Sequence, residues 1–295
     1  MTSSDTPTLF QDAALDEPLR RVAYEAGMLL GLEATREEQG YHRRRLTRHQ
    51  YWLHGMGTLA GLRVWIDPAT AVDQDQDMRV RLLVGPGIGI DGLGREILVQ
   101  ETHCLDLRDW LDAQDPARLS DGFDDAADLL HLAISARFQD CPVAAQPVLA
   151  RKLNLGTDPV APSRISDGVL LELDAIAPDA ALNTSAWPLH PALDGLPPAL
   201  TQDEQDLLAA LDPNDPVEGA ERERLSARLR LLHLFDAPWH PPELESELAA
   251  MVRLPLARLT LSTADPVGAI VNPARIGIDN LARPFVQAAP ARRET

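Results

Sequence analysis

The chain has 295 residues, 45% of them hydrophobic and 24% charged, a composition that predicts folded domains and excludes a disordered polymer. Acidic residues outnumber Lys and Arg 45 to 27, and a formal net charge of -18 is repelled by a phosphate backbone or an anionic bilayer, so neither nucleic acid nor membrane is an expected partner. No apolar run reaches the ~18 residues that span a bilayer, and Cys104 and Cys141 alone make no disulfide framework.

Lys152 is the sole lysine; every other fixed cation is an arginine, the side chain suited to forked contacts with carboxylates. Met1 to Pro18 is acidic and has no apolar h-region, so the chain is expected to be made and folded in the cytoplasm.

In chain order, residues 1–30 read as an irregular arm and residues 33–54 as the first helix. Leu46 and Leu53 share one face of it with Gln39, His42, His49 and Met56, at spacings of three and four. That face is expected to pack on a sheet, with the arginines turned outward. Thr58 to Ile66 reads as a strand, Asp73 to Asp77 as a polar loop, and Arg79 to Val84 as a half-buried strand.

Ile88 and Ile90 alternate before Asp91-Gly92, and Ile97 and Val99 alternate after it, which predicts a β-hairpin. Arg108 to Ala117 predicts a short helix within an acidic stretch. Asp128 to Phe138 and Gly168 to Ile176 read as strands, separated by a proline-containing loop from Cys141 to Pro162. Prolines 178, 188, 191, 197 and 198 mark a linker.

Three helices are then expected. Thr201 with Glu204 forms a capping box for the first. Glu218 to Phe235 places Leu225, Leu229 and Leu232 on one stripe. Pro241 and Pro242 open the third, with Leu244, Leu248 and Met251. Leu254 to Leu261 and Ala274 to Asp279 return to strand. Strands on both sides of a helical block predict an α+β class: β-rich domains with an N-terminal amphipathic helix and a helical insertion in the C-terminal half. The boundaries are an arm over 1–30, a helix plus hairpin domain over 31–110, a β-rich domain over 111–177 and 252–290, and a linker with helical insertion over 178–251.

The motifs of chemistry are few. Gly87, Gly89 and Gly92 satisfy G-x-G-x-x-G, but a dinucleotide site needs a helix after the glycines, and the pattern after Gly94 is a strand. Asp73, Asp75 and Asp77 resemble the start of a calcium loop, yet Met78 and Val84 stand where Gly and Glu are required. His42 and His49 are about 10 Å apart along the helix axis, too far to share a metal. His103-Cys104 and Cys141-Pro142 lack the paired spacing of a zinc site. No Gly-x-Ser-x-Gly elbow, Walker loop or His-Glu-x-x-His is present. No catalytic residue, metal or cofactor is therefore expected. The one basic cluster, Arg43, Arg44, Arg45 and Arg48, is expected to meet protein carboxylates.

Four blocks of sequence resemble one family. Gly27 to Glu33 with Glu37 to Leu46 is similar to its opening helix, and Trp52 to Val64 to its first turn and strand. Val84 to Ile97 is similar to its hairpin, and Pro162 to Glu172 to a later strand. The resemblance covers residues 24–175, with a fainter echo at 252–286. The family consists of structural proteins encoded with phage-tail-like, extracellular contractile injection systems and associated with the baseplate or fibres.

It implies a non-enzymatic subunit at or near the baseplate or its peripheral attachments. Such a subunit acts through contacts with baseplate, fibre or spike components and suits a symmetric multimer. It is made in the bacterial cytoplasm, for a particle of a kind released from the cell. Expected contact residues are Arg43, Arg44, Arg45, Arg48, Gly87, Asp91 and Arg95. The alternatives are a cargo or effector enzyme, for which His42, His49, Asp91, His103 and Cys104 are the candidates, and a fibre-type carbohydrate-binding module, which a 4% aromatic content disfavours.

Overall fold

Helices and antiparallel strands follow one another along a chain for which a computed structural model describes residues 12–13, 18–69, 79–147, 160–180, 182, 200–233, 245–269 and 271–286. The Asp73 to Asp77 loop, Lys152, Pro241, Pro242, Leu244, half of the arm and most of the linker lie outside these residues. The class is α+β, rich in β-structure, and the N-terminal helix is present. Two compact units are formed. One comprises residues 1–56, 92–94 and 185–251; the other comprises residues 57–91, 95–184 and 252–295.

The first unit is helical among its described residues. Helix α1 spans Leu32–His54 and stops at Gly55, whose N–H still bonds the Tyr51 carbonyl at 2.9 Å. Of the three later helices α4 (Gln202–Ala209), α5 (Pro216–Leu232) and α6 (Glu245–Met251), the first carries the expected capping box. Thr201 N–H donates to Glu204 Oε2 at 2.9 Å, and Glu204 N–H donates to the Thr201 hydroxyl at 3.4 Å. His233 at the end of α5 lies 2.8 Å from Glu204, which ties the two helices together. On the α5 stripe, Leu229 is buried and Leu225 half-buried, but Leu232 is exposed.

The described residues of the second unit form three antiparallel sheets. The first pairs β1 (Gly57–Gly61), β4 (Gly87–Ile90) and β5 (Glu96–Val99) in the order β1-β4-β5. The second runs β2 (Val64–Ile66), β3 (Arg81–Val84) and β6 (His103–Asp106). The single strand expected over Thr58 to Ile66 is therefore two. Gly61 and Leu62 take positive φ, 69° and 54°, and swing the chain from one sheet into the next. The expected short helix is also two, α2 (Leu107–Asp112) and α3 (Pro116–Asp121), because Asp115 caps a new helix opened by Pro116.

The third sheet centres on β8 (Leu129–Pro147), with β10 (Arg253–Ser262) on one side and both β7 (Phe123–Asp124) and β9 (Val160–Ala175) on the other; β11 (Ile276–Asp279) pairs with β10. Every residue of β8 from Leu130 to Ala136 is buried, as are Leu254 to Ala257, Leu259 and Leu261 of β10; because successive side chains point to opposite faces, the centre of this sheet is covered on both. Pro255 sits where β10 has only β8 beside it, so its missing N–H interrupts no ladder on the open side.

Strand pairing between β8 and β9 continues far beyond β10. Of the loop expected from Cys141 to Pro162, the described residues 141–147 and 160–162 lie instead in a two-stranded ribbon, paired through Cys141↔Ser166, Pro142↔Ile165, Ala145↔Pro162 and Pro147↔Val160. The prolines are accommodated because each ribbon strand has a free edge.

Candidate functional site

The sequence singles out two regions, a helix and a hairpin. Helix α1 turns a different face inward from the one expected. Thr47 and Tyr51 are buried and Arg44 and Arg48 half-buried, while Leu46 is 57% exposed and Leu53 54%. The cause is the loop 92–94. Gly94 takes φ 79°, and a Cβ there would overlap the Thr47 carbonyl oxygen and come within 3.1 Å of the Tyr51 Cβ. A positive φ and a backbone this close both call for glycine at position 94. Leu93 is fully buried beside it, and Gly92 N–H bonds the Met251 carbonyl at 2.9 Å. The helix is thereby seated through its Thr47–Tyr51 side.

The arginines have separate uses. Arg43 donates to Asp12 Oδ1 at 3.2 Å, and Asp12 is buried, so one carboxylate that meets the cluster comes from this chain. Arg45 donates to the Tyr41 hydroxyl at 2.9 Å and remains exposed. Glu38, half-buried, accepts from the Val22 N–H at 3.0 Å and lies 3.0 Å from His42 Nε2.

The outward side carries a regular row. Leu32, Gln39, Leu46 and Leu53 recur every seven residues, with Thr35, His42 and His49 three residues after the first three. Leu32 is 65% exposed. Around the C-terminal half of this row lies a shallow depression of about 590 Å³, lined by His42, Arg45, Leu46, Arg48, His49, Trp52 and Leu53. Trp52 and Leu32 were not singled out from the sequence; the seven-residue period was the signal that could have found Leu32.

The hairpin is β4 and β5, paired Gly87↔Val99 through Ile90↔Glu96, and a strand rather than a helix follows its glycines. Its tip is a five-residue loop, Asp91 to Arg95. Asp91 is fully buried. It accepts from the Arg95 backbone N–H at 2.9 Å and from the Arg95 Nε and Nη2 at 2.7 Å each. The forked contact closes the loop on itself. The Arg95 guanidinium also stands 5.2 Å over the Phe138 ring. A Cβ at Gly87 would overlap the Leu62 nitrogen, so β4 and the end of β1 meet at backbone distance. Gly87, Asp91 and Arg95 thus act within the fold, and the buried Asp91 offers no surface to a partner.

His103 and Cys104 are both exposed on β6. Of the five residues that an enzyme reading would use, His42 and His49 alone line a described depression. Among the described residues no group of three or more His, Cys, Asp or Glu is placed to hold a metal ion, and no helix is long and apolar enough to cross a membrane.

The remaining polar network secures the C-terminal segment of the second unit. Asn280 accepts from the Val64 N–H at 2.8 Å and donates to the Val64 carbonyl at 2.9 Å. Arg283, 6% exposed, donates to the carbonyls of Leu62 and Asn280 at 2.7 Å each, and burial holds its guanidinium below the usual range. On β8, burial and then the nearby Arg258 charge lower the His131 pKa, against an opposing pull from Asp124.

No protein-family model matches the chain, and no curated protein matches it. Among solved structures, the chain is weakly similar to one from the type VI secretion system TssK-TssF-TssG baseplate subcomplex. The identity is 14% and the TM-score 0.26, over 79% of this chain and 86% of that chain.

Proposed function

We propose that the protein is a non-enzymatic structural subunit of a phage-tail-like contractile injection particle, at or near the baseplate or its peripheral attachments. It acts through contacts with baseplate, fibre or spike components, and it is made and assembled in the bacterial cytoplasm. The observation that carries this reading is the outward row of α1: Leu32, Leu46 and Leu53 stand exposed at heptad spacing, beside arginines, on a chain whose net charge is otherwise strongly negative. Large apolar side chains exposed together on one helix face, here Leu46 and Leu53 beside Trp52, are a feature of surfaces that associate. The four blocks that resemble the injection-system family support the same reading. They fall on α1, on β1 and β2, on the β4–β5 hairpin and on β9.

The test is composition of the particle. Particles and assembly intermediates purified from producing cells are expected to contain the chain at a fixed stoichiometry by quantitative mass spectrometry. Its absence from every intermediate overturns the reading.

A further inference from the structure

We propose that the exposed heptad row of α1 docks an acidic amphipathic helix of another protein. The inference deepens the reading of the chain as an assembly subunit and rests on it.

The row extends from Leu32 to Leu53, about 32 Å along the helix axis at 1.5 Å per residue. Positions recurring at alternating steps of three and four are the seam that a second helix packs into. Leu46 and Leu53 are more than half exposed, with Trp52 beside them in the depression, so an apolar stripe on the partner has side chains to pack against.

Charge decides between occupants. The depression is rimmed by Arg45 and Arg48, with Arg43 and Arg44 one turn away, whereas the glutamates of α1 (Glu33, Glu37 and Glu38) all lie in its N-terminal half. A second copy laid parallel would set Arg45 and Arg48 against a cluster of the same sign, and one laid antiparallel would set Glu33 and Glu37 there with Arg36 between them, Glu38 being held by the Val22 N–H and His42, so a copy matches the cluster less well than a partner acidic along its whole length. A nucleic-acid backbone would meet the arginines but has no apolar stripe for Leu46 and Leu53. A helix with leucine-like residues on its seam and Asp or Glu on its flanks satisfies both features. The contact between Arg43 and Asp12 shows the pairing that the cluster already makes within the chain.

The experiment titrates the full-length protein into a fluorescently labelled three-heptad peptide with Leu on its seam and Glu on both flanks, read by anisotropy at near-physiological salt. A twin peptide carries Lys in place of Glu. The acidic peptide is expected to bind at least about tenfold more tightly than its twin, and Leu46→Glu with Leu53→Glu to weaken it at least about tenfold. Both leucines are exposed, so the double variant is expected to unfold at the wild-type urea midpoint. Leu281→Glu, at a leucine 79% exposed in the other unit, is expected to leave binding unchanged.

Equal binding of the two peptides, or binding indifferent to the double variant, overturns the proposal. Two other results do so as well: a dimer in analytical ultracentrifugation that the double variant dissociates, which makes the occupant a second copy, and a DNA duplex that outcompetes the acidic peptide. None of these outcomes alters whether the chain is found in the particle, which mass spectrometry reads separately.

Discussion

The β4–β5 hairpin and helix α1 both concentrate charge and unusual residues, and they direct them oppositely. In the hairpin, Asp91 is fully buried and forked by Arg95, so the two charges satisfy each other and fix the loop. On α1, the loop 92–94 takes up the Thr47–Tyr51 side, and the leucine row is left in solvent. The difference teaches that a dense polar motif is as often a device for closing a backbone as a surface for a partner. Exposure of apolar side chains separates the two uses.

The sharpest way to break the comparison is at Asp91. If its carboxylate serves the fold, Asp91→Ala strands the Arg95 guanidinium in a half-buried site and opens the loop. The expected cost is about 3–5 kcal/mol, read from the shift in urea midpoint of the whole chain. A loss within about 0.5 kcal/mol would move Asp91 into the class of surface residues.

The second test contrasts the two faces of α1. Tyr51 is fully buried, and Tyr51→Ala is expected to cost about 3 kcal/mol. Leu46→Ala, on the exposed row, is expected to change stability by no more than about 0.5 kcal/mol. Equal costs would mean that Leu46 is covered within the chain, and the docking row would be lost.

These faces show where sequence reasoning reached and where it stopped. Helix α1, the hairpin, the capping box of α4 and strands β8, β9 and β10 follow from periodicity, turn residues and caps, which are local signals. The inward face of α1 does not. It depends on a glycine loop some forty residues away that comes against the backbone at Thr47 and the Cβ of Tyr51, a tertiary contact that helical spacing does not encode. The break at Gly61-Leu62 was hidden because the residues on either side alternate as strand. The β8–β9 ribbon was hidden because prolines signal a loop unless the strands have free edges, and edges are a property of the sheet rather than of the segment. For the candidate site, the arginine cluster was legible as composition. Which of its neighbours stand in solvent was not.

The smallest expected effects compare the units through pH. In the second unit, His131 has a folded pKa below its unfolded value, with burial the main cause. As pH falls through about 6.5, the unfolded chain takes a proton that the folded chain resists, so this residue lowers stability toward acid. In the first unit, the hydrogen bond from His233 and then that from Thr201 N–H hold the Glu204 carboxyl below its ordinary range. A carboxylate shifted downward contributes stability above about pH 4.3 and loses it as pH falls through its folded value. The two units are thus expected to loosen in separate windows. Hydrogen-exchange protection factors over 253–262, which remove the intrinsic slowing of exchange in acid, should fall between about pH 7 and pH 5, and His131→Gln should flatten that fall. Protection factors over 201–233 should fall only below about pH 4.3, and Glu204→Gln should flatten that fall. A single transition shared by both segments would show that the units unfold together, and the separate treatment of helix and hairpin would fail on energetic grounds.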